Sequence, residues 1–295
     1  MKFCIIYNKN SSNGKKIKFI KKICKEIEKD FYVDLFELET KEETIKILKD
    51  LDKKNYTRLI LAGGDGTVSY VINELIKNNM FFLRNFVIGY IPTGTTNVLM
   101  NELNLNRNVN NIVKNLTSNN IKKSNLVKLN DRYFLLMSSI GWDADVIKLT
   151  SFTIKKKFGK FAFVLSSIKK IIFLKRLKFR ININDKFYIS NWIICTNSKH
   201  YAGKFKINES NIFTNEIIFF VIEELNRVKL IKIILTFLFN LEFSNLNFVK
   251  SFKSKKIFIE KIDQKIPLQI DGDYVDIFDN IEISSSEISI NLLTN

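Results

Sequence analysis

The sequence predicts an α/β domain followed by a mainly β domain, and three observations carry that reading. Up to residue 125, short apolar runs alternate with helix-patterned segments, as in a parallel sheet with crossover helices. Two of those runs, Leu59–Ala62 and Phe86–Ile91, end in turns rich in Gly and Thr. From Asn125 the texture changes to closely spaced alternating runs, which read as antiparallel strands. The expected architecture is an N-terminal open parallel-sheet domain over residues 1–125 and a C-terminal antiparallel β-sandwich with packed helices over 126–295.

In order, Lys2–Tyr7 is a first strand, and the polar turn 8–15 leads to a helix with Ile17, Ile20, Ile23 and Ile27 on one face. That turn lacks the first glycine of a Walker A loop and has Lys16 where Ser or Thr should stand. A strand near 32–38 and a helix from about residue 41 to 51 precede the Leu59 run. Gly63-Gly64-Asp65-Gly66-Thr67 then opens the helix of Val68–Asn78, so backbone N–H groups at a helix start face an anion. Asp65 would repel phosphate by itself, which points to a divalent cation or a hydroxyl to be oriented. The plainer alternative makes Asp65 a cap in a tight turn. Pro92-Thr93-Gly94-Thr95-Thr96-Asn97 ends the next strand, and both loops would face the edge where ligands bind in open α/β sheets.

The later runs include 133–138, 179–183, 187–197, 217–223, 256–262, 268–271 and 281–290. Two amphipathic segments interrupt them, one with Phe161, Leu165, Ile168 and Ile172 on a face, the other with Leu230, Ile234, Phe237 and Leu241. Both are expected to pack on the sheets. Trp142 and Trp192 read as core, and Asp271-Gly272-Asp273 by itself reads as a hairpin turn.

Composition narrows the chemistry. The 295 residues carry a formal charge of +17 and include 46% hydrophobic residues, only 10 Gly and 2 Pro. So few glycines mark positions where other residues do not fit. Cys4, Cys24 and Cys195 lie in apolar patterns without ligand spacing, so buried free thiols are expected. His200 is the sole histidine, which argues against a Ser-His-Asp hydrolase or a multi-histidine metal centre. No leader is expected at the start of the chain, and lysines interrupt the apolar stretches near 161–174 and 228–243, so neither reads as a membrane span. Between Ser151 and Arg180 there are ten basic residues and no acidic one, a solvated helix face or a surface that docks on anionic lipid. Nucleic acid is not an expected partner, because that run lacks a reading motif.

GGDGT followed by PTGTTNVLMNEL, then Gly141-Trp142-Asp143-Ala144, the stretch Asn197–Phe205 and Asp271-Gly272-Asp273, resembles the diacylglycerol kinase catalytic-domain family, which includes bacterial soluble-type lipid kinases and is related to sphingosine and ceramide kinases. The resemblance implies an ATP- and Mg²⁺-dependent lipid kinase with its active site between two domains. It makes Gly63, Gly64, Asp65, Gly66 and Thr67 the ATP phosphate loop, with Asn8, Asn10, Ser11, Ser12, Gly14, Thr40 and Thr95 as further nucleotide contacts. Asp65 would act through Mg²⁺, and Asp273 or Asp271 would be the general base. Diacylglycerol is the foremost acceptor on this reading, taken by a cytoplasmic protein held peripherally on the anionic inner face of the membrane. A soluble acceptor, as in NAD kinase, and a non-catalytic nucleotide- or membrane-binding protein are the rivals. Three departures stand out: Lys9 replaces a proline, Lys204 replaces a glycine, and residues 210–216 lack the aspartates that hold a structural Mg²⁺ in some members.

Overall fold

Strand β1 (Lys2–Asn8) sits inside a parallel sheet, paired on one side with β2 (Tyr32–Leu38) and on the other with β3 (Arg58–Gly63). Beyond β3 lies β4 (Val87–Pro92), in register Gly63 to Pro92. The computed structural model describes residues 1–8, 14–38, 40–78, 86–150, 161–172, 177–239 and 241–295. Every residue of β3 is buried, as a central parallel strand covered on both faces requires. The order β2-β1-β3-β4 means that the chain steps outward from β1 to β2 and then returns to its other side. This reversal is the topological switch point, where a crevice opens at the strand ends.

The crossover helices are α1 (Gly14–Ile27), α2 (Lys41–Lys53) and α3 (Asp65–Lys77). Ile20, Ile23 and Ile27 of α1 are buried as their spacing predicts. At the start of α2, Thr40 Oγ1 accepts from the Glu43 N–H at 3.2 Å, and Glu43 accepts from the Thr40 N–H at 3.3 Å. This is a reciprocal capping box. After β4 come α4 (Val98–Glu102), α5 (Val109–Thr117) and β5 (Ile121–Leu129).

Residues Leu126–Ser286 form a second unit, while Met1–Asn125 and Glu287–Asn295 form the first. The sequence boundary placed all of 126–295 together; the last nine residues instead join the first unit, because Asn291 and Leu292 pair in parallel with Val87 and Ile88 of β4.

The second unit contains β6 (Arg132–Phe134), β7 (Met137–Gly141), α6 (Trp142–Leu149), α7 (Phe161–Ile172), β8 (Phe179–Ile183), β9 (Lys186–Ser190) and β10 (Trp192–Thr196). The short hairpin β11 (His200–Tyr201) and β12 (Phe205–Lys206) follows, then β13 (Ile218–Ile222) and α8 (Arg227–Leu238). It closes with β14 (Val249–Lys253), β15 (Lys256–Lys261), β16 (Ile266–Ile270), β17 (Asp273–Phe278) and β18 (Asn280–Leu293). One antiparallel sheet runs β14-β13-β10-β7-β16-β17. The start of β18 continues through β15 and β8 to β9 as a second layer. Ile181, Ile257 and Ile283 from this layer share a buried core with Ile193, Phe219 and Leu268 from the other, so the unit is a β-sandwich.

Three local expectations change. The single run 187–197 is two strands, β9 and β10, because Asn191 leaves the ladder: its side chain accepts from the Leu225 N–H at 2.9 Å and donates to the Leu177 carbonyl. The run 133–138 is likewise divided between β6 and β7. Of the apolar face expected in α8, Leu230 and Phe237 are buried, whereas Leu241 lies past the helix end and is exposed. In α7, Ile172 is exposed, and the side chains of Phe161, Leu165 and Ile168 lie outside the described set. Trp192 is core, with Trp142 tilted against it at a ring separation of 5.1 Å. All three cysteines are buried and free. Among the described residues no helix is long and apolar enough to cross a membrane.

Candidate active site

In the first unit the site is built by two loops at the C-terminal ends of β3 and β4. The Gly63 carbonyl accepts from the N–H groups of Thr93 (2.9 Å) and Gly94 (3.0 Å), which ties the second loop to the first. A Cβ on Gly94 would lie 2.4 Å from Gly64 Cα, so the two backbones touch where only glycine fits. Tyr90, fully buried, directs its hydroxyl at the Gly63 carbonyl (3.2 Å) and at Asn97 Oδ1 (2.9 Å). Asn97 holds the left-handed backbone conformation and donates to the Gly94 carbonyl at 2.9 Å. The turn is therefore fixed from within.

Asp65 fastens the pair. Its buried carboxylate accepts from the Val98 N–H at 2.8 Å and the Leu99 N–H at 3.0 Å, capping α4 from 33 residues away. Thr96 Oγ1 stands 3.5 Å from the same group. The sequence left Asp65 as either a cap or a cation partner; the geometry shows a cap on the neighbouring helix, with Asp65 also opening α3. Such a carboxylate retains lone pairs after two N–H bonds. Among the described residues no cluster of three or more His, Cys, Asp or Glu side chains could hold a metal. Of the described residues, Asp65 is the carboxylate that lies in the loop pair, and the donor set there does not make an all-protein cage.

Around this pair, Thr67 is buried and Thr95 half-buried, while Asn8 ends β1 and Gly14 begins α1. Asn10, Ser11 and Ser12 lie outside the described residues. Thr40 is the α2 cap, its hydroxyl already engaged. Burial and then the Arg107 charge lower the Lys16 pKa, and Arg107 reaches the Gly94 carbonyl at 3.4 Å. Two cations thus belong to the same neighbourhood as the glycine loops, neither of them among the expected contacts.

In the second unit, Asp271 and Gly272 have φ of +47° and +86° and form the two-residue turn between β16 and β17. These are the angles of a type I′ hairpin. Asp271 is buried, and its carboxylate accepts from Leu136 and Met137 N–H (3.0 Å each) and Leu135 N–H (3.2 Å). It pins the approach to β7. Asp273, two residues on, begins β17 and is exposed.

The buried Asp143, at the start of α6, is a further candidate, to which the sequence analysis assigns no role. Its carboxylate accepts from Ser139 Oγ and, at 2.8 Å, from the Tyr201 hydroxyl. Trp192 Nε1 donates to Ser139 Oγ at 3.1 Å. Burial raises the Asp143 pKa to about 6 despite these donors. A carboxyl that titrates near neutrality inside a polar network marks a candidate functional group. Its signal in sequence was the Gly141–Ala144 motif. His200 lies beside Tyr201 in β11, with its N–H bonded to Ser198 Oγ at 3.2 Å.

With this geometry in view, the family model for the diacylglycerol kinase catalytic domain matches residues 2–129. That match covers less than half of the 295 residues, so the likeness to the family is one of the N-terminal segment. A protein named "Putative lipid kinase" from Staphylococcus carnosus (strain TM300) is 29% identical over 151 residues, covering 50% of this chain and 48% of that protein. Another of that name from Streptococcus pneumoniae serotype 4 is 24% identical over 215 residues, 71% of each chain. The match to the first therefore spans about half of its length. A crystal structure described as a diacylglycerol kinase from Bacillus anthracis str. Sterne aligns over 100% of this chain and 97% of its own, with a TM-score of 0.75 and 22% identity. A second structure from that organism gives 0.78 at 20% identity. At these identities the two structures establish the fold.

Proposed function

We propose that the chain is an ATP- and Mg²⁺-dependent lipid kinase whose acceptor is diacylglycerol, giving phosphatidic acid. The observation that carries the reading is the glycine loop pair at the C-terminal ends of β3 and β4, next to the switch point between β1 and β3, locked by Asp65 and opening onto the N-terminus of α3. That arrangement suits a triphosphate. The likeness of residues 2–129 to the diacylglycerol kinase catalytic-domain model supports the same assignment.

In this reading Gly63–Thr67 and Thr95 take the phosphates, with Lys16 and Arg107 supplying positive charge. Asp65 would hold a Mg²⁺ that arrives with the nucleotide, and that ion would supply neutralisation of the phosphate charge. The lipid hydroxyl forms a bond to the γ-phosphorus as the bond to the β-phosphate bridging oxygen breaks, and ADP leaves. Phosphoryl transfer needs positioning and charge neutralisation, with a base for the hydroxyl proton. We assign the base to Asp273, because it is exposed whereas Asp271 holds three backbone N–H groups. Asp271 is then a positioning residue. The enzyme works from the cytoplasm, peripherally on the inner face of the membrane.

The test is transfer of labelled γ-phosphate from Mg·ATP to diacylglycerol, monoacylglycerol, a sphingoid base and an isoprenoid alcohol in anionic mixed micelles, with NAD as a soluble control. Label in diacylglycerol above the others supports the proposal. Label in another lipid alone revises the acceptor, label in NAD alone moves the chain to soluble kinases, and no transfer contradicts the reading.

A further inference from the structure

Helix α8 presents two apolar faces. Leu230, Ile233 and Phe237 are buried, and Phe237 stacks on Tyr201 at 5.2 Å and on Phe243 at 5.3 Å. The opposite face should be polar in a helix that only covers a sheet. It carries Val228, Ile231 and Leu235, followed by Phe239 at the cap, all between 43% and 70% exposed. At 3.6 residues per turn these four fall in one stripe, with Arg227 along one margin and Lys232 along the other. Leu241 prolongs the stripe past the helix end.

The neighbouring helix extends this surface. Arg227 donates to the carbonyls of Ile171 (3.2 Å) and Ile172 (2.9 Å), joining α8 to the last turn of α7, where Ile172 is also exposed. From Leu225 to Leu241 the sequence contains Arg227, Lys229 and Lys232 and no acid, and from Ser151 to Arg180 it again contains no acid. Exposed apolar patches of this kind mark interaction sites. A second copy of the chain is a poor occupant: a two-fold contact would set Arg227 and Lys232 close to their own copies in a protein of charge +17. A surface of negative headgroups over hydrocarbon matches both the basic margins and the apolar stripe.

We infer that the outer face of α8 is an interfacial docking surface that seats the protein on an anionic lipid bilayer, with Ile231, Leu235 and Phe239 entering the acyl boundary. The choice of a bilayer as partner rests on the lipid-kinase reading. These side chains are outside the sandwich core, so they can be made polar without disturbing the Phe237–Tyr201 contact.

The experiment is co-sedimentation of the full chain with phosphatidylcholine vesicles containing or lacking about one third phosphatidylglycerol, without ATP or diacylglycerol. Wild type is expected to bind the anionic vesicles and the triple variant Ile231→Ser, Leu235→Ser, Phe239→Ser to bind at least tenfold more weakly. Lys232→Glu should weaken binding severalfold. If the triple variant fails to give the wild-type circular dichroism spectrum, Phe239→Ser alone serves, with a loss of at least threefold. Undiminished binding by the folded variants overturns the inference. So does a wild-type dimer that the substitutions convert to monomer, since a second copy then covers the face. Phosphoryl transfer to a dispersed short-chain diacylglycerol is read separately and should be unchanged in the variants. Vesicle binding lost on substitution, in a protein that phosphorylates no lipid, upholds the docking face and refutes the kinase reading alone.

Discussion

The loop pair of the first unit and the turn of the second use the same device for different ends. In each, a buried aspartate gives its carboxylate to backbone N–H groups far away in sequence: Asp65 to Val98 and Leu99, Asp271 to residues 135–137. Asp65 thereby fixes a cradle whose chemistry lies in N–H groups and hydroxyls. Asp271 fixes a turn that leaves its neighbour, Asp273, facing solvent. The lesson is that an aspartate inside a turn motif can act by holding main chain, which leaves its accessible neighbour as the carboxylate we propose to be reactive.

The sharpest way to break this comparison is to separate the two aspartates of the turn. Asp273→Asn should lower kcat about 10²–10⁴-fold, the range for losing a general base. Its unfolding free energy in urea should shift by no more than about 0.5 kcal/mol, as for exposed positions generally. Asp271→Asn should instead destabilise the chain by about 3 kcal/mol, since an amide nitrogen meets backbone donors in a buried site. Urea unfolding reads that loss directly.

Asp143 offers a test through pH. Its folded pKa of about 6 lies above the ordinary 3.8, so between those values the folded chain holds a proton that the unfolded chain releases. The associated stability is fully present below about pH 4 and is lost as pH rises through about 6. Relative to Asp143→Asn, wild type should lose up to about 3 kcal/mol across that window. A constant difference from pH 4 to 7 in urea unfolding would show that the group titrates normally.

Two glycines sharpen the contrast at smaller scale. Gly94→Ala drives a methyl into the Gly64 backbone and should destabilise by about 2–3 kcal/mol, weakening ATP binding measured by calorimetry. Gly272→Ala meets no atom within 4 Å and suffers only from its φ of +86°, for about 1 kcal/mol.

Much of this was legible in sequence where the cause is local. Alternation gave the parallel strands, the Leu59 run gave the buried β3, and Asp271-Gly272 was readable as a hairpin turn. Thr40 and Glu43 spell a capping box in sequence, and the structure forms it; the resemblance also makes Thr40 a nucleotide contact. What escaped was non-local. Nothing near Asp65 announces that its oxygens reach Val98, and nothing near Asp143 announces Tyr201, 58 residues on. The outward face of α8 was hidden because both of its faces are apolar, and periodicity alone selects no inside.

The most direct measurement is turnover of Asp273→Asn and Asp271→Asn on the same lipid, each normalised to its folded fraction. The account predicts that Asp273→Asn is fully folded and at least 100-fold slower, and that Asp271→Asn loses activity chiefly in step with its folded fraction. Wild-type turnover by Asp273→Asn would contradict it.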